Sequence, residues 1–366
     1  MTQQSTGHLS YIQLVMIVML VNGLMSHVII NPMLLEASQR DAWLAVVVAT
    51  ALLLPWCALI AWCMRRSGQQ KLQPWLATRV GSFLSWLLVL PFILQLYLIG
   101  GTTVLHTAGW TLTNYLPDTP AFILALSLCM VCFYYACTGL RTIAISAGLM
   151  LPVVVALGFF VSFANNDLKD MELLRPVLED GWQPVWRGTL YAVGGFSELI
   201  LLFGLQHRIR RPIRGWQLIL LGALLASITL GPVIGAITEF GPIEAAKQME
   251  SPYEQWRLVR LGYDLEHVDF LSVFQWLAGA VIRISLSIFL LAELMPWAAS
   301  GRRRGLLVGA ITLSYTLLSL IPLDAYTFYL YMYRYYIPYS LVAALVMTAW
   351  YVLLCLLPDK SEVKAS

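Results

Sequence analysis

The chain reads as an all-α, polytopic membrane protein of about ten transmembrane helices, and three observations point there. Of its 366 residues, 59% are hydrophobic and only 12% charged, about half the charged share of an average soluble domain. Apolar runs long enough to cross ~30 Å of hydrocarbon, which takes roughly 20 helical residues, recur along the whole chain. Basic residues collect in alternate connections between those runs. The same composition excludes an ordinary soluble enzyme, a disordered chain and a secreted disulfide scaffold. Net charge is +3, from 23 Lys and Arg against 20 Asp and Glu. That bias is too small for nucleic-acid binding.

The expected spans run Leu9 to Ile30, Ala42 to Met64, Val80 to Trp110, Thr119 to Gly139 and Thr142 to Ala164. Five more run Gly188 to Leu205, Gly215 to Thr238, Phe270 to Trp297, Leu306 to Leu323 and Tyr336 to Leu357. The third is longer than a perpendicular crossing needs, so it is tilted or protrudes. The first lacks a charged leading region and a small-residue cleavage site, so it reads as a retained helix and not a signal peptide. One set of connections holds 14 of the 23 basic residues, among them Arg65, Arg66, Arg208, Arg210, Arg211 and Arg302 to Arg304. With an even number of spans, both termini are expected in the cytoplasm. The whole chain is expected to be one integral membrane domain over 1–366.

The six cysteines (Cys57, Cys63, Cys129, Cys132, Cys137 and Cys355) all lie in apolar runs. Cys129 and Cys132 form a CxxC without redox or zinc context, so they read as small apolar fillers. The acidic residues gather in two long outer loops, about 165–187 and 239–269. Over 240–269 the 3-4-3 spacing of Leu258, Leu261, Leu265 and Val268 predicts an amphipathic helix, lying on the outer surface or packed on the mouth of the bundle. Tyr326, Tyr329, Tyr331, Tyr333, Tyr335, Tyr336 and Tyr339 crowd the connection before the tenth span, as an interfacial aromatic belt would.

Ten spans divide into two sets of five, 9–164 and 186–357, and an odd number per set inverts the second relative to the first. Spans one and six are then counterparts, and each carries glycine near its middle: Asn22-Gly23 and Gly194-Gly195. Matched interruptions point to a binding site where freed backbone groups meet a ligand, with half-helix N-termini suited to a carboxylate. Close helix packing explains such glycines equally well. Glu198 and Arg283 fall at mid-membrane, where a charge marks a pathway, a relay or an ion pair. Glu198 is expected to pair with Arg283, to face a ligand amine, or to be protonated. Glu293 is expected to snorkel to water. His27 reads as an interior, hydrogen-bonded histidine. Tyr97, Thr102, Thr103, Ser285 and Ser287 place hydroxyls at depth, most of which bond their own helix. No nucleotide, zinc-protease or serine-hydrolase motif occurs, so no catalytic residue, metal or cofactor is expected.

Two segments carry a family resemblance. One runs Leu173-Leu174-Arg175-Pro176-Val177-Leu178, Gly181, Pro184-Val185-Trp186-Arg187-Gly188 and on to Gly195-Phe196-Ser197-Glu198. The other holds Ser251-Pro252-Tyr253-Glu254, Arg257, Gly262, Glu266 and Asp269, followed by Arg283-Ile284-Ser285 in the eighth span. Together they resemble the spore germination permease family, the B-type subunits of endospore nutrient receptors. The resemblance covers nearly the whole chain in span order and loop length. It implies an amino acid–polyamine–organocation (LeuT-like) fold with inverted five-helix repeats and broken helices one and six. It implies germinant sensing in the spore inner membrane beside a larger A-type subunit and a lipoprotein C-type subunit. The expected ligand is an amino acid or similar small nutrient, lined by Asn22, Gly23, Leu24, Tyr97, Gly194, Gly195, Phe196, Glu198, Ser285 and Ser287. Glu198 and Arg283 would serve as ion pair or coupling residues. The alternative is a proton- or sodium-coupled amino-acid transporter.

Overall fold

A computed structural model describes residues 8–260, 267–298 and 301–357. Among them, nine helices are long and apolar enough to cross a membrane: α1 (Tyr11–Ile29), α2 (Asn31–Arg66), α3 (Ser82–Asn114), α4 (Ala121–Thr138), α5 (Leu140–Ala164), α6 (Trp182–Arg208), α7 (Gly215–Phe240), α8 (Leu271–Leu294) and, last in the chain, α10 (Ala325–Leu356). Between the last two lies α9 (Gly301–Leu318). It stands where the ninth span was expected, but it starts on Arg302, Arg303 and Arg304 and ends before Leu323. Those three charges make its first turn polar, and the apolar part that follows is shorter than in the other nine.

Burial sorts the bundle into shells. The apolar stretches of α8 and α6 are almost wholly enclosed, and that of α1 largely so, whereas α4 and α5 turn most of their surface outward. α8 packs on α1, α3, α4 and α5, and α6 packs on α2 and α10. α2 lies along α7, α3 along α8 and α4 along α9. An exposed apolar face is what a lipid-facing helix needs, and outward-pointing Leu149, Phe159 and Phe163 of α5 supply it.

Connections group at two ends, as the charge alternation predicts. At the arginine-rich end, Leu9 N–H donates to the Arg208 carbonyl at 2.7 Å. There too, Arg79 donates to the Leu357 carbonyl at 2.7 Å, and Glu293 binds Arg208 and Arg304. Glu293 is therefore tied down by cations instead of reaching for water, because His207 and both arginines converge on it. At the opposite end Asp41 accepts the Leu178 N–H at 3.1 Å, and Tyr115 O–H donates to the Asp269 carbonyl at 3.1 Å.

Several expectations change. The helix in the second long loop is Ser251–Arg257 and stops before Leu258. Leu261 and Leu265 lie outside the described residues. Val268 is buried with Val161, Trp256 and Val259 in a small apolar cluster, so of the two expected placements it takes the one packed on the bundle and not the one on a membrane surface. The tyrosine run is helical from Ala325 onward, with one π-helical turn over Met332–Tyr336, so it is not a connection. Tyr336 turns fully inward while Tyr326 and Tyr335 stay exposed. Neither glycine pair unwinds its span. α1 passes into a π-helical turn at Leu24–Ile29, and α6 tightens to 3-10 geometry at Ser197–Ile200. Of the cysteines, five are buried and Cys137 is exposed.

Glycine permits the closest crossings. A Cβ on Gly100 of α3 would meet the Tyr315 ring of α9 at 2.5 Å, and that ring is fully buried. Gly100→Ala should therefore cost about 1–3 kcal/mol through overpacking. Gly305→Ala meets open space and should be neutral or mildly stabilising. Thermal unfolding of the two purified variants in detergent checks this contrast.

Candidate functional site

The centre of the bundle is an ion pair. Arg283 of α8 and Glu198 of α6 are both essentially inaccessible to solvent. Arg283 Nη2 donates to Glu198 Oε1 at 2.5 Å, and Nη1 donates to Oε2. An isolated charge at this depth is costly, so each remaining polar atom needs a partner. Arg283 Nη1 also donates to the Val21 carbonyl of α1 at 2.8 Å, and Nε donates to Thr103 Oγ1 of α3 at 2.7 Å. Tyr336 O–H of α10 donates to Glu198 Oε1 at 2.9 Å. Behind it, Gln95 Nε2 of α3 donates to Ser340 Oγ at 2.9 Å. Five helices are thus joined through two charged side chains.

The irregular turns lie beside this pair. Passing from α to 3-10 bonding changes which carbonyls a helix uses itself. Gly195, two residues before the switch in α6, has its carbonyl bound by Asn22 Nδ2 of α1 at 2.9 Å. Ser26 Oγ donates to the Asn22 carbonyl at 2.6 Å. The small residues let these elements approach. A Cβ on Gly194 would collide with Ile337 of α10, and one on Gly195 would come within 2.8 Å of Ile30.

A cavity of about 360 Å³ opens next to the pair, between α1, α5, α7, α8 and the Ser251–Arg257 helix. Gly23, Leu24 and His27 face it from α1, Ile228 and Gly231 from α7, and Trp276 and Gly279 from α8. Its walls are chiefly apolar, with Glu239 at one edge. Glu239 Oε2 accepts from Asn165 Nδ2 at 3.1 Å. Its Oε1 has no hydrogen-bond partner among the described residues and lies 4.0 Å from Lys169 Nζ.

Of the ten expected lining residues, Gly23 and Leu24 border the cavity. Asn22, Gly194, Gly195, Phe196 and Glu198 sit in direct helix-to-helix contact at the core. Tyr97 lies apart, donating to Ser314 Oγ at 3.1 Å. Ser287 bonds the Arg283 carbonyl at 2.9 Å, and Ser285 Oγ is buried without a partner among the described residues. Thr102 and Thr103 bond their own helix, and His27 Nδ1 meets the Ile228 carbonyl at 2.9 Å, as an interior histidine should.

Sequence reasoning missed Tyr336, Gln95 and Glu239. Gln95, a lone amide inside an apolar run, was a visible signal. Tyr336 was hidden among six other tyrosines, and Glu239 looked like a loop residue because it ends its helix.

Fold and site together define a polytopic helical membrane protein with a buried ion pair at the centre of an apolar core. A family model described as "Spore germination protein" matches residues 8–321. The chain is 37% identical to spore germination protein XB of Bacillus anthracis over 333 residues, which are 91% of this chain and 93% of that protein. It is 23% identical to spore germination protein KB of Bacillus subtilis, over 68% of each chain. It is 22% identical to spore germination protein YndE of the same species, over 57% of this chain and 58% of that one. The chain belongs to the spore germination protein family. It is a germination-related integral membrane protein, from a family that is not one of enzymes.

Tyr336→Phe and Thr103→Val each leave a buried charge one partner short. Each should destabilise by about 1.5–3 kcal/mol, the range for hydrogen bonds to charged groups. The double variant should fall short of the sum, because both act through one network. Unfolding midpoints in detergent measure this.

Proposed function

We propose that this chain is the nutrient-sensing membrane subunit of a spore germination receptor, with both termini cytoplasmic and its site in the spore inner membrane. It works beside a larger A-type subunit and a lipoprotein C-type subunit. The ligand is a small apolar amino acid or a similar amine-bearing nutrient. Its apolar body lies in the cavity against Gly23, Leu24, Ile228 and Trp276, and its ammonium faces Glu239. We also infer two inverted five-helix repeats, supported by the side-by-side packing of α2 with α7, α3 with α8 and α4 with α9.

The observation that carries the reading is the juxtaposition of a closed, five-helix ion pair with an apolar cavity one helix turn away. Ligand in the cavity presses on Gly23 and Leu24, the start of the π turn. That turn follows directly on Asn22 and Val21, whose contacts hold α6 and Arg283. Binding thereby biases the packing of α1 against α6 and α8, and partner subunits read the change. Glu198, Asn22, Gly194, Gly195 and Phe196 act as the responsive joint. Glu198 is committed to Arg283 and Tyr336, so the central pair serves as a joint between helices and not as an open ion site.

The test is dipicolinate release from spores lacking only this gene, in a background without other receptors, over a panel of amino acids and sugars. Loss of response to one nutrient class is expected. Glu239→Gln should raise the half-maximal concentration of that nutrient at least about tenfold, as loss of a charge-assisted contact does. An unchanged response across the panel, or saturable uptake of the nutrient into proteoliposomes, would overturn the sensing role.

A further inference from the structure

A second cavity, of about 370 Å³, lies at the end of the bundle that carries the long loops. It is walled by the end of α1, the last three turns of α3 and the start of α10. It is separate from the cavity beside Gly23, and Trp276 stands between them. Trp276 lines the first cavity while its ring touches two residues lining the second: it stacks on Trp110 at 4.1 Å and meets His106 at a tilt of 54°, 4.9 Å between centroids. On its other side His106 stacks on Phe328 at 4.9 Å and 11°. The imidazole is therefore held between two aromatic rings at the cavity wall.

Unspent polar groups of opposite character meet here. Trp110 is buried, 3% exposed, and its indole N–H has no acceptor among the described residues. An indole nitrogen can only donate. His106, one helical turn earlier on the same face of α3, has Nδ1 without a partner as well. Across from them Glu250 Oε1 lies 3.6 Å from His106 Nε2, too far for a good hydrogen bond. By contrast Asp324, the other carboxylate on this wall, is engaged, since it accepts from Thr327 N–H at 2.9 Å and from its hydroxyl at 2.6 Å. Buried donors without acceptors are uncommon in a finished interior. A ligand that satisfies both sides brings an acceptor for Trp110 and a cationic donor for Glu250, held over aromatic and aliphatic walls such as Phe328 and Met33.

We propose that this vestibule is a second binding site, taking a small zwitterionic amino acid with an apolar side chain. Its carboxylate accepts from Trp110 Nε1, its ammonium meets Glu250, and Trp276 divides it from the deeper cavity. The vestibule is independent of the deeper site and stands or falls separately from it.

The test is equilibrium binding of labelled L-alanine, L-valine and L-leucine to the full chain in lipid nanodiscs. Two bound molecules per chain are expected for at least one of the three. Glu250→Gln, nearly isosteric, and Trp110→Phe, which keeps an aromatic ring, should each weaken one of the two sites about tenfold or more. The other, deeper site should respond instead to Glu239→Gln. A single site that responds only to Glu239→Gln would overturn the vestibule and leave the deeper site standing. A single site that responds only to Glu250→Gln and Trp110→Phe would support the vestibule and remove the deeper site. Absence of binding by all three amino acids overturns both.

Discussion

Two opposite charges taken out of water at mid-membrane must satisfy one another and every donor and acceptor left over, and the bundle is arranged around that requirement. Desolvation of an ion pair is repaid only when its geometry is good and its remaining hydrogen bonds are made. Arg283 is planar and carries five N–H donors in a fixed fork. It meets Glu198 with two, the Val21 carbonyl with another and Thr103 with its Nε. That single guanidinium dictates where α1, α3 and α6 lie relative to α8, and Tyr336 adds α10 through Glu198.

The glycines make the arrangement physically possible. α6 can bring Glu198 to Arg283 only because Gly194 and Gly195 allow Ile337 and Ile30 to lie against its backbone. Two irregular turns lie next to this packing, the 3-10 turn of α6 directly after Phe196 and the π turn of α1 after Gly23. Such turns hold fewer well-formed hydrogen bonds than α-helix and are frequent at functional sites. Rigid packing on one side and a weaker turn on the other form a joint, and the cavity beside Gly23 gives a solute access to it.

Much of this was legible in the sequence, and the limits have physical causes. Hydropathy and charge alternation located the helices because lipid imposes a length and a polarity on every span. It blurred the ends of two elements, at α9, where three arginines enter the helix itself, and at α10, where tyrosine-rich helix resembles an interfacial connection. The depth of Glu198 and Arg283 was readable, and their pairing was one of the options their depth left open. The character of the breaks was not readable. Glycine signals both unwinding and close approach, and only the positions of Ile30 and Ile337 from distant helices separate the two. Glu239 escaped because linear position cannot tell a helix-end carboxylate exposed to water from one folded under Asn165 and Lys169.

The most direct measurement is a double-mutant cycle on the central pair, with unfolding of the full chain in detergent followed for Glu198→Leu, Arg283→Met and both together. Each single change strands a buried charge and should cost about 3–5 kcal/mol. The double change removes both charges and should recover most of that loss, giving a coupling energy well above the ~0.5 kcal/mol expected of independent sites. Additive costs would contradict the pair as the element that holds the five helices together.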